Sequence, residues 1–259
     1  MSLPVIIMGG MGRMGATLLR LVQENKDFHL VGTVVLTEQL EAAEKLGVPV
    51  ADSVQTFLET TPTATIIDFT APASSMNVAR AAAASGASHI IGTTGFTDEN
   101  KAELATLATQ TKIFWSPNMS VGVNTLLKIL PLFAQMLGED YDMEMMEVHH
   151  NKKVDAPSGT ALRIAEVLAE ARAEKLDDIA CYHREGIIGA RPKGELGIQT
   201  LRGGDVVGDH TVYFFGQGER IGITHQAHSR DNFAQGALRA VSWLAKQAAG
   251  RVYTMADVL

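Results

Sequence analysis

Val5-Ile6-Ile7-Met8-Gly9-Gly10-Met11-Gly12-Arg13-Met14-Gly15 is an apolar run that breaks into glycines. Four apolar residues in succession read as a buried strand. Met14, Leu18, Leu21 and Val22 then recur at helical spacing. The motif Gly10-x-Gly12-x-x-Gly15 therefore falls between a strand and a helix, the context that gives G-x-G-x-x-G its meaning. Glycines there permit a tight turn and the close approach of a pyrophosphate. The helix start adds free N–H groups and the positive end of a dipole. The stretch reads as a dinucleotide-binding turn; a plain strand-to-helix turn without a ligand is the bland alternative.

Further along the chain, Leu30 to Val35, Ala64 to Phe69, His89 to Gly92 and Lys112 to Trp115 repeat the short apolar pattern. Helical segments at 78–84 and 99–109 lie between them. Strands alternating with helices predict a parallel, doubly wound sheet. The texture changes after Pro117-Asn118. Val123 to Leu137 reads as a helix despite Pro131, Tyr141 to His149 as a strand and Ala161 to Ala173 as a helix. Nine glycines between Gly186 and Gly218, among runs such as Thr211 to Phe215, predict an antiparallel or mixed sheet with long loops. Phe233 to Ala248 reads as a final amphipathic helix. The expected organisation is a dinucleotide-binding domain of residues 1–119 and 231–259, interrupted by a substrate and oligomerisation domain of residues 120–230.

Three polar loops follow predicted strands: Asp68-Phe69-Thr70, Gly92-Thr93-Thr94-Gly95-Phe96 and Ser116-Pro117-Asn118-Met119. Ligands of open α/β sheets lie across the carboxyl ends of strands. Each loop alone is ordinary turn chemistry; together they suit the nicotinamide side of a cofactor. The ribose-binding acid usually found about 20 residues after the glycine loop is not in place. Leu36 and Thr37 stand there, with Glu38 late. A strict preference for NAD is therefore unsupported. Arg13 could reach a 2′-phosphate, which leans toward NADPH, or be a solvated cation at the helix start.

A second chemistry-bearing stretch is Glu147-Val148-His149-His150-Asn151-Lys152-Lys153-Val154-Asp155-Ala156-Pro157-Ser158-Gly159-Thr160. If the chain stays extended past His149, alternation puts His149, Asn151 and Lys153 on one face. Histidine exchanges a proton near neutral pH, and lysine offers a compact charge to a carboxylate. Ser158 or Thr160 can cap a helix whose free N–H groups suit a second carboxylate. A small, negatively charged substrate is expected; the alternative is a capped helix after a solvated basic loop.

Composition narrows the classes. The chain has 259 residues, 46% of them hydrophobic and 20% charged, with a formal charge of −7, so general nucleic-acid binding is not expected. Cys181 is the single cysteine, which excludes an internal disulfide and fits a reducing compartment. Met1-Ser2-Leu3-Pro4 carries no basic region before an apolar stretch, so no signal peptide is expected. No apolar run is expected to reach membrane-spanning length, and a cytoplasmic protein follows. Six histidines lie between His149 and His228, but His225-x-x-His228 lacks a partner cysteine or an H-E-x-x-H pattern, so no metal is expected.

These motifs, with Asn118-x-Ser120-Val121-Gly122-Val123-Asn124, Arg202-x-Gly204-Asp205-x-Val207-Gly208-x-His210, His225-x-Ala227-x-Ser229-Arg230 and the tail Tyr253 to Leu259, resemble the dihydrodipicolinate reductase family of bacterial lysine biosynthesis over nearly the whole chain. The resemblance implies a Rossmann-like domain plus a smaller α+β substrate domain with a mixed sheet, usually assembled as a homotetramer. It implies hydride transfer from NADH or NADPH to a cyclic dicarboxylate. The proton donors would fall on His149 and Lys153, and substrate binding on His150, Ser158, Gly159 and Thr160. Cofactor contacts would fall on Gly9, Gly10, Met11, Gly12, Arg13 and Met14, on Gly92, Thr93 and Thr94, and on Ser116, Pro117, Asn118 and Met119. Rival readings are another NAD(P)H-dependent imine or amino-acid oxidoreductase, and a dinucleotide-binding sensor without turnover.

Overall fold

The computed structural model describes residues 2–259. Six strands come first: β1 Leu3–Met8, β2 Phe28–Val34, β3 Val50–Ala51, β4 Thr65–Asp68, β5 Ser88–Ile91 and β6 Ile113–Trp115. Five follow: β7 Asp142–His149, β8 Ala180–Cys181, β9 Leu196–Arg202, β10 Gly208–Gly216 and β11 Glu219–Ala227. A last short strand, β12, is Val252–Tyr253. The chain divides into two compact units, one running up to Val121 and resuming at Arg230–Leu259, the other Gly122–Ser229.

The first unit holds a seven-stranded sheet in the order β12-β6-β5-β4-β1-β2-β3. Its pairings are all parallel. The order reverses beside β1, whose neighbours are β2 and β4, and such a switch point opens a crevice at the carboxyl ends of the strands. β1 carries almost unbroken apolar residues, and the centres of β1 and β4 are fully buried at Val5, Ile6, Ile7, Ile66 and Ile67, as a sheet covered on both faces requires. The long helices are Arg13–Glu24, Pro72–Ser85, Asp98–Leu107 and Asp231–Leu244. The last packs Ala237, Val241 and Leu244 into one core with Leu18 and Ile90. A Cβ at Gly236 would overlap the carbonyl of Met119, so this helix presses directly on the backbone that follows β6.

In the second unit β11-β10-β7-β9-β8 form a mixed sheet. β7 pairs antiparallel with β10 and parallel with β9. Burial alternates along β7, with Met143, Met145, Glu147 and His149 inward. Helices Val121–Leu137 and Gly159–Ala171 cover that face through Leu126, Leu130, Ile164 and Leu168, packed with Met143, Ile198 and Phe214.

Several sequence expectations need correction. The helix expected at 78–84 begins six residues earlier, at Pro72, because proline suits a first helical turn. The short elements β3, β8 and β12 carry too few residues for a periodic signal and were not anticipated. The chain does contain a helix long and apolar enough to cross a membrane, Val121–Asp140, 20 residues at mean hydropathy 1.4. Here its Leu126, Leu130 and Ala134 pack in the core of the second unit, while Leu132 and Met136 lie exposed. Nor does the chain stay extended past His149. The strand ends there, and a turn carries the Lys153 N–H onto the His150 carbonyl at 3.2 Å.

Candidate active site

In the first unit the glycine loop follows β1 at the switch point. Gly9 adopts φ +72°, a left-handed conformation that glycine enters without steric cost. A Cβ at Gly10 would overlap the Thr33 hydroxyl, and one at Gly15 the Gly9 carbonyl. Gly12 opens the helix Arg13–Glu24 with no side-chain cap, so the first-turn N–H groups have no partner within the helix. A bare, positive helix start beside glycines that admit close approach fits a pyrophosphate.

The other polar loops converge beneath a buried network. Asp68, fully buried at the end of β4, accepts from the Thr70 N–H at 2.9 Å and the Thr70 hydroxyl at 2.6 Å. The Ser75 hydroxyl donates to Thr93 Oγ1 at 2.8 Å. His89 Nε2 stands 3.4 Å from Asp68 Oδ2, with both side chains fully buried. Burial alone would raise the Asp68 carboxyl; His89, Thr70 and Ser75 outweigh it and hold the group below its ordinary value. Trp115 Nε1 donates to the Thr93 carbonyl at 3.0 Å, so the Gly92-Thr93-Thr94 loop is held from two sides. Ser116 Oγ donates to the Asn118 carbonyl at 2.8 Å. The Met119 side chain is buried in the core, which leaves only its backbone to offer a ligand.

The second unit gathers the histidine-lysine residues at the carboxyl ends of β7 and β9. Register places Glu147 opposite Thr200 on one side and His210 on the other, and His149 opposite Arg202. Glu147 is fully buried and is the hub. Arg202 donates from Nη1 to Oε2 and from Nη2 to Oε1, both at 2.8 Å. The Ser158 N–H donates to Oε1 at 3.0 Å, and His149 Nδ1 meets Oε2 at 2.6 Å. Burial pushes the Glu147 carboxyl up, but Arg202, His149 and the Ser158 amide outweigh it and bring it down to about 2. A carboxylate ionised at neutral pH fixes His149 with a proton on Nδ1. His149 itself is held below its ordinary value, chiefly by burial, with Lys153 and Arg202 adding to the effect and Glu147 opposing it.

His210 packs edge-on to His149, ring centroids 5.2 Å apart, and is lowered to about 4, first by burial and then by His149. Its Nε2 lies 3.1 Å from the Ser158 hydroxyl, which also accepts the Ala161 N–H at 3.1 Å. Ser158 thus caps the helix Gly159–Ala171, and its hydroxyl is engaged by the protein. Gly159 has open space above it. Lys153 pairs with Asp155 at 2.9 Å, and the His150 Nδ1 is buried without a hydrogen-bond partner. Glu147, Arg202 and His210 had no assigned role in the sequence reading. The available signal was a glutamate two residues before His149 on a strand whose other inward residues are methionines.

A doubly wound parallel sheet, a glycine cradle at its switch point and a separate α+β unit with an inward-facing His-Glu-Arg cluster define a Rossmann-like dinucleotide-binding protein of two units. The family models sharpen this: the description "Dihydrodipicolinate reductase, N-terminus" matches residues 3–119, and "Dihydrodipicolinate reductase, C-terminus" matches residues 122–259. The chain belongs to the dihydrodipicolinate reductase family. It is 58% identical over 258 residues to a 4-hydroxy-tetrahydrodipicolinate reductase of Nitratidesulfovibrio vulgaris, covering 100% of both chains. It is 59% identical over 259 residues to one of Oleidesulfovibrio alaskensis, again over 100% of both. A solved structure of dipicolinate-bound dihydrodipicolinate reductase from Paenisporosarcina sp. TG-14 superposes with a TM-score of 0.78 at 25% identity, covering 100% of each chain.

Proposed function

We infer that this chain reduces 4-hydroxy-tetrahydrodipicolinate to tetrahydrodipicolinate with NADH or NADPH, in the diaminopimelate route to lysine. The observation that carries this reading is full-length identity near 58% to relatives bearing that activity's name. When bound, the reduced nicotinamide supplies the hydride. The residues available to hold the nucleotide are Gly9 to Met14 at the pyrophosphate, with Gly92 to Thr94 and Ser116 to Met119 toward the nicotinamide.

The residues of the second unit supply the rest. The 4-hydroxyl must leave as water, and reduction of the conjugated imine so formed adds a hydride and a proton, so a proton donor must face the ring. His149 takes that role through Nε2, because Glu147 holds Nδ1. Burial disfavours the charged imidazole. Two incoming carboxylates favour the charged imidazolium, so substrate binding itself loads the donor. Lys153 exchanges Asp155 for a substrate carboxylate, a charge-assisted contact, and is the second proton donor. His150 and the helix start at Gly159 and Thr160 receive the other carboxylate. Ser158 serves this site indirectly, through the cap and His210. The dipicolinate held by the Paenisporosarcina relative is a ring dicarboxylate of this shape.

We also assign a homotetramer. Supporting it, Leu201 and Phe215 on the outward face of the second sheet are 46% and 36% exposed, and exposed apolar side chains favour self-association. The reductase reading is tested with nicotinamide deuterated at C4. Deuterium should appear on a ring carbon of the product. Product formed without the label would contradict direct hydride transfer.

A further inference from the structure

The crevice beyond the glycine loop has a second end. A cavity of about 700 Å³ opens at the carboxyl ends of β1, β2 and β3, lined by Met8, Val34, Asp52, Ser53, Asn77 and Ala81 among others. Met8 directly precedes the glycine loop. A nucleotide with its pyrophosphate on Gly10 to Gly12 has its adenosine half within reach of this cavity, whose size is ordinary for a small-molecule subsite. The cavity lies wholly in the first unit.

The usual ribose-reading position is empty of function. Leu36, just beyond β2, is 60% exposed and has no side-chain hydrogen-bonding group. An acid reaches the same place from the neighbouring strand. β3 pairs in parallel with β2, Val34 opposite Ala51, and the Val35 N–H donates to the Ala51 carbonyl at 2.9 Å. Asp52 therefore emerges beside the end of β2. The Thr37 hydroxyl, next after Leu36, donates to Asp52 Oδ2 at 3.1 Å, which orients the carboxylate from the side where the missing acid would stand.

The charges around the cavity are sorted accordingly. Arg80 lines it, but its guanidinium is committed to Glu103 at 2.6 and 2.9 Å and to Asn77 at 2.9 Å. Among the described residues, Asp52 has only the Thr37 hydroxyl and no cation against it. A carboxylate accepts hydrogen bonds from ribose hydroxyls and repels a 2′-phosphate, since juxtaposed like charges are a strong discriminator.

We propose that Asp52, oriented by Thr37, reads the adenosine ribose of the nucleotide and makes this chain favour NADH over NADPH. The assignment rests on the nicotinamide-reductase reading above and extends it to cofactor choice. Arg13, exposed at the start of the first helix, is the competing cation.

The test is equilibrium binding of NADH and of NADPH to the whole protein without substrate, read by nucleotide fluorescence, alongside kcat/KM for each. The wild type should bind NADH at least about tenfold more tightly. Asp52→Asn should weaken NADH, strengthen NADPH and collapse the ratio to within about threefold. Thr37→Val, which changes no charge, should lower the NADH preference part of the way. Tighter NADPH binding by the wild type, or a ratio unmoved by Asp52→Asn, would overturn the proposal. Discrimination that follows Asp52 in a protein oxidising neither nucleotide would support the ribose assignment while sinking the reductase reading.

Discussion

The fully buried Glu147 makes His149 more than a strand-end histidine. It fixes Nδ1 and leaves Nε2 for chemistry. Replacing His149 with Gln should lower kcat by about 10²–10⁴-fold with KM within a few-fold, the usual worth of a general acid; an unchanged kcat would remove it from that role. Lys153→Ala should damage both constants, and calorimetry should show at least about tenfold weaker dipicolinate binding, the loss of a charge-assisted contact. Undiminished affinity would remove Lys153 as a clamp. Acid lability follows from two depressed groups. The His210 imidazole, brought to about 4, contributes stability present above its unfolded value near 6.5 and lost as pH falls through about 4. Glu147, at about 2, contributes stability present above its unfolded value and lost as pH falls from there through about 2. Urea midpoints should therefore drop between pH 7 and pH 4 in the wild type and less in His210→Gln; equal losses would contradict the assignment. His149, His150, Lys153 and the Ser158-Gly159-Thr160 start were legible because unusual residue types crowd one stretch. Arg202 and His210 were not, because their nearness to Glu147 depends on strand register across 55 and 63 residues.

At the scale of elements, the parallel sheet was legible because short apolar runs alternate with helical spacing, from Val5–Met8 to Ile113–Trp115. What escaped was set by tertiary pairing. β3 and β12 have two residues each and exist only because a neighbouring strand edge receives them. The turn after His149 escaped because its backbone bonds go to Val206 and Gly204 in a distant loop. The glycine loop tests the first unit directly. In Gly15→Ala the new methyl meets the Gly9 carbonyl, backbone that cannot rotate aside. Overpacking of this kind costs about 1–3 kcal/mol, and both nucleotides should bind more weakly; a variant of wild-type stability and affinity would contradict the cradle. In the second unit, Leu130→Ala removes a fully buried side chain of the helix on the sheet and should lower unfolding free energy by about 2–5 kcal/mol, measured by urea titration.

For the whole molecule, the family models divide the sequence almost where the chain divides into compact units, residues 3–119 and 122–259 against a boundary at Val121. The second model also takes in the returning segment from Arg230, which completes the first unit by way of β12. Light scattering should return about four times 27.8 kDa if the outward sheet face is buried in a tetramer. A monomer at all concentrations would contradict that assignment. The reduction itself is checked by a coupled assay. Pyruvate and aspartate semialdehyde are condensed by a separate synthase in the presence of this protein and NADH or NADPH, and loss of reduced nicotinamide is followed. Oxidation should require every component. No oxidation with either nucleotide, from protein shown to be folded, would contradict it.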